Sequence, residues 1–282
     1  MTTQSAPEPR TLTDLNGTIV LVGAGKMGGA MLEAWLGLGL SPTSVVVIEP
    51  QPMQELTTLA ARGLTLNPAT PAARKASAIV LAVKPQVAPA VVPTLAPLLA
   101  PDTVVLSIMA GRTLGFLAGA LPRNTALVRA MPNTPAAIGR GITVAVPNAM
   151  VSQRQRALVH ALLAATGLVE WVEDEALMDA VTAVSGSGPA YVFLLAEALS
   201  AAGAAAGLPA ELASKLARAT VSGSGELLNR SPLDPATLRQ NVTSPGGTTA
   251  AALDVLMAGD GMTELMNRAV AAATRRSREL AG

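Results

Sequence analysis

The chain has 282 residues, a formal net charge of +1, 14% charged residues and 50% apolar ones, whereas ordinary globular chains carry roughly 25% charged residues. With no cysteine and a single histidine, His160, it excludes thiol nucleophiles, disulfides and zinc sites built on Cys or several His, and no metal site is expected. The near-neutral balance lacks both the basic field that selects nucleic acid and the acidic tail that selects a cationic partner.

Residues 1–16 read as a polar N-terminal tail without the apolar core of a signal peptide. TIVLV at Thr18–Val22 is a β-branched run suited to a parallel strand buried on both faces. The glycine-rich turn GAGKMG follows, and a helix is expected from Met27 to Leu38. VVVIE at Val45–Glu49 forms a second strand, and a helix carrying Gln54, Leu56, Leu59 and Arg62 leads to a third, AIVLAVKP, at Ala78–Pro85. VVLSI at Val104–Ile108, ALVRAMP at Ala126–Pro132 and GITVAVP continue the series. A helix from Ser152 to about Thr166 and the strand LVEWV complete it. This alternation predicts an α/β domain with a mainly parallel sheet over residues 17–173.

Beyond Glu173 the β-branched runs stop, and Ala/Leu-rich helical segments broken by Gly, Ser and Pro fill residues 174–282. These helices are apolar on too many sides to stand alone in water, so the all-α half is expected to bury them across a dimer interface. The run Tyr191–Leu208 is long enough to span a membrane, yet Glu197 stands in its middle and no Lys/Arg cluster flanks it. No membrane partner is therefore expected, and the cytoplasm is the expected location.

Gly23, Gly25 and Gly28 have the G-x-G-x-x-G spacing, with Ala24, Lys26 and Met27 between them. In that pattern the first glycine makes the turn, the second admits a pyrophosphate to the backbone and the third lets helix and strand pack closely. A bland glycine turn is the competing reading, but here the pattern follows a strand and opens a helix, and an acid, Glu49, ends the next strand. The pattern thus points to a Rossmann-type domain binding NADH or NADPH. Glu49 can bind ribose hydroxyls and would repel a 2′-phosphate, which favours NADH; a solvent-facing loop glutamate is the alternative. Ala82, Val83, Lys84 and Pro85 end the third strand at the same sheet edge, where Lys84 faces either the cofactor or solvent.

VTSPGGTTAAAL at Val242–Leu253 holds no strong acid, base or metal ligand. Pro245 suits the approach to a helix, Gly246 and Gly247 let backbone N–H groups come close to a ligand, and Thr248 or Thr249 can cap the helix that follows. A helix N-terminus with hydroxyls is a natural carboxylate site; a plain Ser/Thr cap joined to a glycine turn is the alternative.

These motifs together resemble the pyrroline-5-carboxylate reductase family, nearly end to end, through VGAGKMGGAM, AVKPQ, VRAMPNTPAAIGRG, AVSGSGPAYVF and VTSPGGTTAAALDVL. The resemblance implies NAD(P)H-dependent reduction of the cyclic imine 1-pyrroline-5-carboxylate to L-proline. It implies that Thr249 bonds the ring nitrogen and that Ser244, Thr248 and Thr249 hold the carboxylate, with Gly247 beside them. It also implies that Glu175 and Thr182 line the substrate pocket, that SGSGP at Ser185–Pro189 shapes it, and that Met109, Ala110, Asn133 and Thr134 lie near the nicotinamide. A homodimer, with rings of dimers as a further assembly, is the partner it implies. His160, in the middle of ALVHALLAATG, reads as a packed helix residue. Two alternatives stand beside this reading: a related dehydrogenase of a small hydroxy or keto acid, which needs a positioned Lys or His, and a non-catalytic dinucleotide-binding protein.

Overall fold

The computed structural model describes residues 11–13, 15, 17–69 and 76–281, so the expected tail at 1–16 lies mostly outside the described residues. The chain divides into two compact units, Met1–Gly186 with Arg276–Gly282, and Ser187–Arg275.

The first unit is built on one eight-stranded sheet: β1 Thr18–Val22, β2 Val45–Ile48, β3 Thr65–Leu66, β4 Ala76–Leu81, β5 Val104–Ser107, β6 Ala126–Met131, β7 Gly141–Pro147 and β8 Gly167–Trp171. Their spatial order is β3-β2-β1-β4-β5-β6-β7-β8. The first six run parallel, β7 pairs antiparallel with β6, and β8 runs parallel to β7. The helices of this unit are α1 Lys26–Gly37, α2 Gln54–Ala61, α3 Ala88–Val91, α4 Leu114–Ala120, α5 Gln153–Ala164 and α6 Met178–Val181, followed by a π-helical turn at Thr182–Gly186.

The unbroken apolar character of β1 follows from burial on both faces. Ile19 and Leu21 join a core with Val45, Val80, Trp35 and Leu162 on one side. Val20 and Val22 join another with Ile79, Val92, Leu95 and Leu117 on the other. Successive side chains of a strand point to opposite faces, so only a sheet covered twice accepts such a run. Trp35 is fully buried, and its indole N–H donates to the Leu162 carbonyl at 2.8 Å, which ties α1 to α5.

The second unit contains α7 Gly188–Ala205, α8 Ala210–Arg230, α9 Pro235–Asn241, α10 Thr248–Leu256 and most of α11, Met262–Ala281. A Cβ at Gly203 on α7 would stand 3.3 Å from the Cβ of buried Ala213 on α8, so small residues set the close approach of these two helices. Neither α7 nor α10 buries a residue, and Phe193, Leu194, Val255 and Met257 stand exposed. The helical stretch Glu175–Ala205 is long and apolar enough to cross a membrane by length and composition. From Arg276 onward α11 packs in the first unit, where Ser277 Oγ donates to Asp179 Oδ1 at 2.7 Å.

Candidate active site

The strand order reverses at β1, whose carboxyl end has β2 on one side and β4 on the other. Ligands of open α/β sheets bind in the crevice outside such a switch point. A cavity of about 580 Å³ lies there, lined by Gly23, Gly25, Glu49, Gln51, Ala82, Val83 and Lys84 among others, within the range of small-molecule and cofactor sites. The three motif glycines have separable reasons. Gly23 has φ +90, and a Cβ on it would meet the Ala82 carbonyl oxygen at 2.8 Å. A Cβ on Gly28 would meet the Gly23 carbonyl oxygen at 2.3 Å and Ala82 Cβ at 3.0 Å, so helix α1 lies directly on the strand ends. Around Gly25, by contrast, there is nothing within 4 Å. The middle glycine alone faces open space, which is where a pyrophosphate must approach backbone. Lys26 and Met27 open α1 behind it, so their N–H groups belong to the free N-terminal set of that helix.

Glu49 does not point away into solvent. Its Oε2 accepts from the Ala24 N–H at 2.9 Å and its Oε1 from the Gln51 N–H at 3.0 Å. The carboxylate is thus fixed against the glycine loop, on the cavity wall. Lys84 is exposed on the same wall. The loop holding it is pinned from the neighbouring β5 loop: Arg112 Nε and Nη2 both donate to the Pro85 carbonyl, at 3.0 and 2.8 Å. Met109 is buried in the core with Leu81 and Leu117, leaving its backbone and exposed Ala110 at the end of β5. Asn133 Oδ1 accepts from Ile142 N–H at 3.0 Å, so its side chain braces the start of β7, and Thr134 opens the short 3-10 turn that follows.

In the same unit Glu175 Oε1 pairs with Arg129 Nη1 at 2.9 Å and accepts from Leu114 N–H at 2.8 Å. Arg129 projects from β6 and is buried. Thr182 Oγ1 donates to the Met178 carbonyl at 2.8 Å. Ser185 Oγ, in the π-helical turn, is buried with no hydrogen-bond partner among the described residues; turns of this kind are frequent at functional sites. His160 lies on the exposed face of α5, where its Nδ1 accepts from the Trp171 indole N–H at 3.3 Å.

In the second unit, Ser244 to Gly247 form a tight turn closed by Gly247 N–H donating to the Ser244 carbonyl at 3.0 Å. Proline follows the first residue, and Gly246 has φ +70, the pairing of a type II turn. One expectation is corrected here. Neither Thr248 nor Thr249 caps α10; Gly247 takes the cap position, with φ −81 and ψ 173, and no side chain bonds to it. A cap needs extended backbone just before the helix, and the type II turn delivers Gly247 in that state. Thr248 and Thr249 are therefore the first two helical residues, and their hydroxyls are not spent on capping. Thr243 Oγ1 is spent, donating to the Arg239 carbonyl at 2.7 Å. No hydrogen bond among the described residues engages the hydroxyls of Ser244, Thr248 or Thr249. The result is a helix N-terminus carrying free N–H groups and, among the described residues, three uncommitted hydroxyls, an arrangement able to hold an anion such as a carboxylate.

Sequence reading overlooked Arg112, Arg129 and Asn67. Asn67 follows β3 at φ +45 and binds both backbone groups of Glu49, 18 positions earlier. The Asn-Pro pair at Asn67–Pro68 signals a turn, but nothing local signals its partner.

A family model for pyrroline-5-carboxylate reductase dimerisation matches residues 175–280, and one for coenzyme F420-dependent NADP oxidoreductase matches residues 18–111. The pyrroline-5-carboxylate reductase of Pseudomonas aeruginosa is 39% identical over 93% of this chain and 96% of its own. That of Synechocystis is 42% identical over 90% and 96%. Among solved structures, the Coxiella burnetii pyrroline-5-carboxylate reductase superposes with a TM-score of 0.87 at 33% identity, covering 94% of this chain and 99% of that one. The Plasmodium falciparum enzyme with NADP bound gives a TM-score of 0.79 at 28% identity, over 95% and 99%.

Proposed function

The chain belongs to the pyrroline-5-carboxylate reductases and reduces 1-pyrroline-5-carboxylate to L-proline with NAD(P)H, the last step of proline biosynthesis; from that premise we propose how its own residues divide the work. The cleft at the end of β1 fits a dinucleotide: the space at Gly25 suits the pyrophosphate, with the N–H groups of Lys26 and Met27 behind it, and Glu49 suits the ribose hydroxyls. Ala82, Val83, Lys84 and Pro85 bound the same cleft after β4, and the backbone at Met109 and Ala110 follows β5. When bound, the dihydronicotinamide supplies the hydride.

The protein has little else to supply, because a protonated cyclic imine is already electrophilic. It must grip the substrate carboxylate and hold the ring so that one face is open. The N–H groups at the start of α10 and the hydroxyls of Ser244 and Thr248 take the carboxylate, with bare Gly247 allowing close approach. The Thr249 hydroxyl contacts the ring nitrogen. For Glu175 and Thr182 as substrate-pocket residues, in the first unit, the support is the family likeness; Glu175 has one carboxylate oxygen that neither Arg129 nor the Leu114 N–H engages. The observation that carries this reading is the set of hydroxyls left unspent where a simple cap would have used one.

Replacing Thr249 with Val keeps shape and removes the hydroxyl. Turnover is expected to fall about ten- to a hundredfold, the worth of one hydrogen bond to a charged group, while the dissociation constant for NAD(P)H, read by fluorescence titration, stays within about twofold. An unchanged kcat removes Thr249 from the chemistry. The enzyme is assigned to the cytoplasm as a homodimer, with rings of dimers as a higher assembly. The dimerisation match together with the exposed apolar helices supports the pairing.

A further inference from the structure

We propose that Asn67 is a positioning residue that sets this enzyme's choice of nicotinamide cofactor, by locking Glu49 into place as a fixed negative charge at the ribose end of the cleft, so that NADH is taken in preference to NADPH. The proposal rests on the reading of that cleft as the dinucleotide site.

Glu49 lies one residue beyond β2, where the ladder between β2 and β3 has ended; that ladder pairs only Val46 with Thr65 and Val47 with Leu66. Asn67 continues it with a side chain in place of a strand. Its own N–H donates to the Val47 carbonyl at 2.9 Å. Its Oδ1 then accepts from the Glu49 N–H at 2.9 Å, and its Nδ2 donates to the Glu49 carbonyl at 2.8 Å. One amide thus satisfies both backbone groups of Glu49. Asparagine is suited to this because its backbone tolerates φ +45 while its side chain offers both a donor and an acceptor.

With its backbone held from one side, Glu49 is held from the other through its side chain, by the N–H groups of Ala24 and Gln51. Each carboxylate oxygen takes one of these bonds and retains capacity for another. The carboxylate therefore keeps acceptors for two ribose hydroxyls, and the residues directly after it bring no cation to a 2′-phosphate. Pro50, Gln51, Pro52 and Met53 follow without a cation. Lys84, on the same cavity, belongs to the end of β4, two strands from β2 in the sheet. A carboxylate free to swing could move aside for the phosphate; one held by two bonds, on a backbone held by two more, cannot.

The test is a double-mutant cycle on the full-length enzyme, with kcat/KM for NADH and for NADPH as the readout. Asn67→Gly retains the positive φ and deletes the amide. It is expected to lower the NADH:NADPH ratio about five- to tenfold, through KM with kcat nearly unchanged. Glu49→Ser is expected to lower the ratio by at least as much. Adding Asn67→Gly to Glu49→Ser should then change the ratio no further, because the group being positioned is gone. Equal losses with both cofactors in Asn67→Gly, or the same ratio shift in the Glu49→Ser background, would show a merely structural residue and overturn the proposal. If Glu49→Ser leaves the ratio unmoved, the reading of the ribose end falls and the proposal with it. Should turnover be too low in any variant, fluorescence titration with NADH and NADPH gives the same ratio from dissociation constants.

Discussion

Gly23 and Gly25 stand two residues apart and are glycines for different reasons. At Gly23 both backbone conformation and space forbid a side chain, since φ is +90 and a Cβ would meet the Ala82 carbonyl oxygen at 2.8 Å. Gly23→Ala is expected to destabilise the fold by about 1–3 kcal/mol, seen as a melting temperature lowered by several degrees. At Gly25 nothing lies within 4 Å, so Gly25→Ala should leave the melting temperature nearly unchanged and instead raise the KM for cofactor at least about tenfold, because the added methyl stands where the pyrophosphate approaches. Equal thermal losses in the two variants would refute this division. The glycine pattern was readable from spacing alone. The clamp on Glu49 was not, because it joins residues 18 apart through a side-chain amide that no periodicity marks.

Between elements, the Arg129–Glu175 pair has the widest reach. It links β6 to the segment before α6, and the Leu114 N–H brings in the first turn of α4. Removing Glu175 leaves a buried guanidinium and a helix N–H without their acceptor. Glu175→Ala is expected to cost about 2–3 kcal/mol, below the usual loss for breaking a buried pair because the Glu175 side chain is partly open to water. Urea unfolding measures this, and a loss under about 0.5 kcal/mol would mean that the pair contributes only what exposed ion pairs do. Asp234, the cap of α9, behaves differently. The Thr237 hydroxyl, followed by backbone N–H groups, holds its carboxyl below the ordinary value. Its contribution is therefore complete at neutral pH and is lost only as the pH falls through that lowered value. Element by element, the buried parallel strands were legible because burial on two faces writes a continuous β-branched run. The two-residue β3 was not, since Thr65–Leu66 has no length over which a period can show. The antiparallel setting of β7 was likewise invisible, because GITVAVP reads the same whichever way it pairs.

For the molecule as a whole, the apolar excess seen in composition ends up on the outside of the helical unit. Phe193 is 68% exposed and Val255 73%, far from the arrangement expected of helices that stay alone in water. Phe193→Asp is expected to shift the protein from dimer to monomer in sedimentation velocity and to remove most activity; a dimer that persists at micromolar concentration would place the subunit contact elsewhere. Low charge and abundant Ala and Leu mark this surface in the composition itself. What it could not announce is that α11 returns to the first unit from Arg276, where Ser277 meets Asp179 and Leu280 lies against Gly111. During translation the sheet-bearing half emerges first, yet it lacks that fastening until the helical segment has left the ribosome behind it. The half made earliest is thus completed latest, and a nascent chain stalled before Arg276 carries a nucleotide fold still missing its clasp.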